Sequence, residues 1–216
     1  VTVSLHPSAT VLFQGDSITD VGRLVEPDKP LGNGYVRIAA DLLRAARPGS
    51  GITFVNRGVG GDRVADLRAR WREDADGLRP DVVSILIGVN DTWRRYDSGE
   101  VTPVRAFEDD YRAILGQVRE GPDAQLLLIE PFLVPVTDEQ WAWREDLDPR
   151  IQAVRRLAEE FDATLLAADG LLNQAARAAG GAEHIAGDGV HPTPYGHTLL
   201  AEAWVALVEG GEPSGS

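Results

Sequence analysis

A serine, an aspartate and a histidine occur in this chain in settings that suit nucleophilic catalysis. Ser17 follows a short apolar run, in Gly15-Asp16-Ser17-Ile18-Thr19-Asp20, while Asp188 and His191 share Asp188-Gly189-Val190-His191-Pro192 near the other end. A serine hydroxyl is a weak nucleophile at neutral pH; it needs a base within hydrogen-bond reach and a third group to orient that base. One turn can hold the Asp188 carboxylate against one nitrogen of His191 and leave the other nitrogen for Ser17. Alone, that spacing has little specificity. Two further segments add to it: Asn56-Arg57-Gly58-Val59-Gly60-Gly61-Asp62 and Ile87-Gly88-Val89-Asn90-Asp91. Attack on an ester carbonyl builds negative charge on its oxygen, and each pre-aimed donor is worth about 2.7–4 kcal/mol there. Glycines let backbone N–H groups approach a substrate unobstructed. An asparagine closing a strand offers an amide donor that does not compete with His191 for protons.

Residues so far apart meet only if the fold returns each segment to one edge. Apolar runs and helical periodicities alternate along the chain, which predicts an α/β fold, three layers α/β/α around a parallel sheet of about five strands. The expected strands are residues 10–14, 52–56, 81–87, 125–130 and 164–167. The expected helices are 35–47, 63–71, 107–119, 148–161, 171–179 and 194–209, the last with Pro194 at its start. Ser17, Gly60 and Asn90 each follow a strand, and loops at strand carboxyl ends share one edge of a parallel sheet. Residues 131–146, with Trp141 and Trp143, read as a long loop that walls the site or makes a subunit contact; residues 26–34 form a second candidate wall. The Gly/Ser/Pro-rich tail, residues 210–216, is expected to be disordered, leaving one domain over residues 1–209.

The four segments, in this order, resemble the SGNH hydrolases, also called the GDSL esterases. The likeness spans roughly Val11 to Leu207, and the first block reads Gly-Asp-Ser-Ile where the family name implies Leu. By position, the resemblance implies Ser17 as nucleophile, His191 as base and Asp188 as its orienting acid. It implies oxyanion donors at the N–H of Ser17, the N–H of Gly60 and the amide of Asn90, on the flavodoxin-like fold of that family. A narrower likeness to the intracellular carbohydrate-esterase branch rests on Gly15–Asp20 with Gly22-Arg23, on Asp66-Leu67-Arg68-Ala69-Arg70-Trp71, and on Gly88-Val89-Asn90-Asp91-Thr92-Trp93-Arg94. It implies acetyl esters of xylan-derived sugars as substrates. Asp16, Trp93 and Arg94 are candidate substrate contacts, Trp93 as a face that stacks on a sugar ring, with a place in the core or a subunit interface as its plainer reading. A general short-chain carboxylesterase or thioesterase is the alternative, and a non-catalytic sugar-binding module the alternative from another class.

Each residue also has a plainer reading. Ser17 could cap a helix, and Asp188-Gly189 could be only a turn. Gly58 and Gly61 rival Gly60. His6, His184 and His197 read as surface or packing residues, and Asp188 with His191 are too few ligands for a metal site. Asn90-Asp91-Thr92 matches a glycosylation sequon but falls inside the expected active site. No metal and no cofactor are therefore expected.

Bulk properties narrow the partners. The 216 residues carry a formal charge of −13, which repels phosphate backbones and anionic membranes but not a neutral sugar ester. Nucleic acid and membrane are thus not expected as partners, whereas a homo-oligomer stays open. The absence of cysteine rules out a thiol nucleophile and disulfides. Residues 1–10 lack the basic start and apolar run of a signal peptide, and a cytoplasmic location is the expectation.

Overall fold

The computed structural model describes residues 2–75, 77–121 and 124–209. The expected disordered tail, residues 210–216, lies outside them. All five expected strands form, each within a residue or two of its expected bounds: β1 (Thr10–Gly15), β2 (Thr53–Asn56), β3 (Val82–Leu86), β4 (Gln125–Ile129) and β5 (Thr164–Leu166). They pair in parallel in the order β2-β1-β3-β4-β5. The chain leaves β1 for one neighbour, β2, and then crosses to the other, β3. That reversal opens a crevice at the carboxyl ends of β1 and β3.

Side chains alternate across the sheet, so each strand feeds two cores. Val11 and Phe13 of β1 and Leu127 and Ile129 of β4 pack on one face against α2 (Tyr35–Ala46), α7 (Ala168–Ala179) and α8 (Pro194–Glu209). Leu12, Val83, Ile85, Leu126 and Leu128 pack on the other, against α3 (Val64–Ala75) and α5 (Val104–Glu120). The result is the three-layer α/β/α arrangement the alternating pattern predicts.

Two departures from the sequence reading bear most on the site. The stretch 131–146 is not a loop throughout: α6 runs from Asp138 to Glu160 and carries both tryptophans. Thr137 caps its start, accepting from the Gln140 N–H at 3.3 Å. Pro149 lies inside this helix, where it gives the Glu145 carbonyl no N–H partner. Prolines favour the first turn, which is why the sequence points to a start near 148. The buried face Trp143, Leu147, Ile151, Val154 and Leu157 continues past Pro149 in helical register and holds the two halves together. The second departure is α4 (Val89–Asp97), which places Asn90 in a first turn rather than at a bare strand end. Gly88 makes the transition from β3: its φ of 129° suits glycine, and a Cβ there would lie 3.0 Å from the Phe107 ring.

Candidate active site

The nucleophile candidate stands where β1 ends. Asp16 accepts from the Ile18 N–H at 3.0 Å and so caps α1 (Ser17–Asp20), a single turn that begins at Ser17. As the first residue of that turn, Ser17 has no intrahelical acceptor for its N–H. Its hydroxyl faces His191, with Oγ 2.9 Å from Nε2. Across the ring, Nδ1 lies 2.7 Å from Oδ2 of Asp188. The other carboxylate oxygen, Oδ1, accepts from the Val190 and His191 N–H groups at 2.9 and 2.7 Å. Burial opposes the charge on Asp188, but hydrogen bonds from the His191 ring and these two N–H groups outweigh it and hold its pKa below the ordinary carboxylate range. A carboxylate at Nδ1 fixes the tautomer that leaves Nε2 free to accept from Ser17.

The glycine segment arrives beside Ser17. Asn56, at the end of β2, donates from Nδ2 to the carbonyls of Thr19 (2.7 Å) and Leu31 (3.0 Å), and its Oδ1 accepts from the Gly58 N–H at 2.8 Å. Gly58 is wedged in: a Cβ there would stand 2.4 Å from the Asp20 backbone nitrogen. Gly60 differs. A Cβ there would meet Ser17 Cβ and Asp20 Oδ2 at 3.8 Å, ordinary contact distance, so packing does not demand glycine at 60. Its N–H has no acceptor among the described residues. Asn90, nearly buried at 3% exposure, donates one amide hydrogen to the Asp62 carbonyl at 3.0 Å. That bond orients the amide and leaves its second hydrogen unused by it. Next door, Asp91 accepts from the Val64 N–H at 3.1 Å and ties α4 to the start of α3.

The three candidate substrate contacts fare differently. Trp93 lies beside His191, with ring centroids 5.8 Å apart, and backs onto Trp143 at 5.8 Å, which stacks on Tyr96 at 5.2 Å. Arg94 pairs with Asp97 and lies over the Trp93 ring at 5.6 Å. Asp16 is fully buried, so it reaches no bulk substrate surface; it caps α1, and burial pushes its carboxyl up to about 7. Of the two tryptophans of α6, Trp143 joins this aromatic wall while Trp141 points to solvent. His197 is buried and accepts from the Tyr35 N–H at 3.2 Å, and His6 pairs with Asp81 at the surface. Among the described residues no cluster of His, Cys, Asp and Glu fit to hold a metal ion occurs, and no helix is long and apolar enough to cross a membrane.

The roles of Asn56 and Asp91 were not visible in the sequence. Each acts through a bond to a residue more than twenty positions away, and no local spacing marks such a partner.

A hydroxyl, a relay of imidazole and carboxylate, and N–H groups free to donate are the parts of acyl transfer. Comparison with known proteins points the same way. A sequence model of the GDSL-like lipase/acylhydrolase family matches residues 13–199. An acetylxylan esterase of Geobacillus stearothermophilus is 37% identical over 203 residues, covering 90% of this chain and 91% of that protein. A crystal structure of an acetylxylan esterase from the same organism superposes with a TM-score of 0.86 at 33% identity, over 94% of this chain and 95% of that one. Further structures of that esterase are of catalytic mutants, each replacing a serine, an aspartate or a histidine with alanine. A candidate GDSL-like lipase from Parabacteroides merdae superposes with a TM-score of 0.88 at 34% identity, over 96% and 98% of the two chains.

Proposed function

The chain belongs to the GDSL-like lipase/acylhydrolase family and is a carboxylic ester hydrolase; on that premise we propose that it removes acetyl groups from xylan-derived oligosaccharides through an acyl-enzyme on Ser17. The observation that carries the mechanism is the unbroken relay from Ser17 Oγ to His191 (2.9 Å) to Asp188 (2.7 Å), beside the N–H groups of Ser17 and Gly60, which have no acceptor among the described residues. Ser17 Oγ attacks the acetyl carbonyl while Nε2 of His191 takes its proton. The Asp188 carboxylate stabilises the imidazolium that forms. Charge on the carbonyl oxygen falls to the N–H groups of Ser17 and Gly60 and to the Asn90 amide, which gain most when that charge is fully developed. Collapse expels the sugar hydroxyl with the proton from His191, and water repeats the sequence to release acetate. No cofactor is needed for any of these steps.

The acetyl and carbohydrate specificity rests on the acetylxylan esterase relative and on the carbohydrate-esterase likeness of the motifs. The same likeness supports an intracellular enzyme acting on fragments short enough for uptake. The test is a panel of acetylated xylo-oligosaccharides set against simple esters of increasing acyl length. The expected order is highest kcat/KM on the acetylated sugars and falling rates as the acyl chain grows. Equal or better rates on longer simple esters would instead identify a general short-chain esterase.

A further inference from the structure

Arg70 touches none of the reacting groups, yet its guanidinium binds two of the three segments that carry a proposed oxyanion donor and reaches the third, that of Asn90, through Asp62. It projects from α3 with its side chain 17% exposed. Nη2 donates to the carbonyl of Gly15 at 3.1 Å, two residues before Ser17. Nη1 donates to the carbonyl of Arg57 at 2.8 Å, where the glycine segment begins, and to Oε1 of the buried Gln14 at 2.9 Å. Nε donates to Oδ2 of Asp62 at 2.6 Å, where that segment ends. The carbonyl of this same Asp62 is the acceptor that orients the Asn90 amide. The Gly15 carbonyl is shared with the Val59 N–H at 3.0 Å, so strand and loop meet at the atom Arg70 holds. Asp74, one turn along α3, completes the set and balances the charge.

We infer that Arg70 is a positioning residue for the oxyanion hole: one planar cation fixes the Ser17 turn, both ends of the Gly60 loop and, through Asp62, the Asn90 amide. Arginine suits this task because its donors leave one rigid plane in several directions at once. A lysine at 70 would keep the positive charge between Asp62 and Asp74 but would present its donors from a single point. It could not span Gly15, Arg57 and Asp62 together. The donors would then keep their identity and lose their aim. The consequence belongs in kcat rather than KM, because the hole is used most when the tetrahedral oxyanion forms.

This inference rests on the reading of Ser17, Gly60 and Asn90 as oxyanion donors, and its test separates the two. Arg70→Lys, Asn90→Ala and the double variant are compared on one acetyl ester, with folding checked by near-ultraviolet circular dichroism and melting temperature. Arg70→Lys is expected to lower kcat by about 10- to 100-fold, the scale of small misplacements at a reacting centre, with KM changed less than about 3-fold. In the Asn90→Ala background the same substitution is expected to cost distinctly less, because part of what Arg70 aims is gone. A folded Arg70→Lys enzyme with kcat near wild type, or equal losses in both backgrounds, overturns the inference. Should Arg70→Lys fail to fold, Asp62→Ala cuts the tie at the loop while Asp74 still balances Arg70; kcat within about 2-fold of wild type would then overturn it. Wild-type kcat in Asn90→Ala would overturn the underlying hole instead.

Discussion

The two halves of the proposed site are built in opposite ways. The proton-relay half is local and open: Asp188 and His191 lie three residues apart on one loop, with about half of each side chain exposed. The oxyanion half is distributed and, apart from the exposed Gly60, closed: Asp16 is fully buried, Asn90 is 3% exposed, and Asn56, Arg70 and Asp91 lace β1, β2, α3 and α4 together. Even one residue type behaves differently in the two. The carboxyl of Asp188 is held low by three hydrogen bonds that prevail over partial burial, whereas burial pushes that of Asp16 up to about 7. The difference teaches where each kind of damage should register: loss of an exposed group chiefly in the chemistry, and loss of a buried one such as Asn90 in stability as well as rate.

The largest effect tests the open half. Ser17→Ala should lose on the order of 10⁴ or more in kcat with the melting temperature kept, as in other triads; steady-state kinetics with a thermal melt checks both. Next comes the closed half, where Asn90→Ala should lose about 10²–10³ in kcat, the scale of one oxyanion donor, with little change in KM. Asn90→Asp should be at least as damaging, because a carboxylate repels the oxyanion. Equal melting temperatures for Ser17→Ala and Asn90→Ala would erase the contrast between the halves.

The two glycines sharpen it further. Gly60→Ala should fold and melt like wild type while losing kcat, since its added methyl meets only ordinary contacts yet faces Ser17. Gly58→Ala should lower the melting temperature or yield no folded protein, because its Cβ would collide with backbone at 2.4 Å. Melts and kinetics on the pair decide it; a destabilised Gly60→Ala would reassign that glycine to packing.

The smallest effect concerns pH. Asp16 in the fold titrates near 7 against 3.8 for the ordinary carboxyl, so the unfolded chain gives up a proton that the fold retains. Wild-type stability attributable to Asp16 is therefore greatest below 3.8 and falls as pH rises toward 7. Asp16→Asn removes that loss, and its melting temperature relative to wild type should climb by a few degrees from about pH 4 to about pH 8. Asp188 has the opposite sign: its depressed pKa gives stability that is present above 3.8 and lost only as pH falls below it. The deficit of Asp188→Asn should thus stay level across the same window. Melting curves of both variants at the two pH values make the comparison, and parallel pH dependence would contradict it.

What the sequence could reveal follows the same division. The relay is a three-residue spacing, and the strands are apolar runs bounded by turn residues, so both can be read locally. The expected contact role of Asp16 is another matter, because its position in the motif says nothing of depth; only the packing of α1 shows that it is a buried cap. Arg70 appears in the sequence as one of several arginines on an amphipathic helix. Its importance comes from Gly15, Arg57 and Asp62, which only the crossover from β1 through β2 to α3 brings within reach. Pro149 misleads for a related reason, since the local rule against proline in a helix yields to a buried face that runs on through it.

The central claim is that Ser17 carries the acetyl group between sugar and water. Its most direct measurement is rapid quenching of the enzyme in acid during turnover of an acetylated xylo-oligosaccharide, followed by peptide mass spectrometry. A single acetyl group on the peptide containing Ser17, absent in Ser17→Ala and accumulating in step with the first turnover, is the predicted result. Sustained turnover with the acetyl group on another residue, or undiminished turnover by Ser17→Ala, would contradict it.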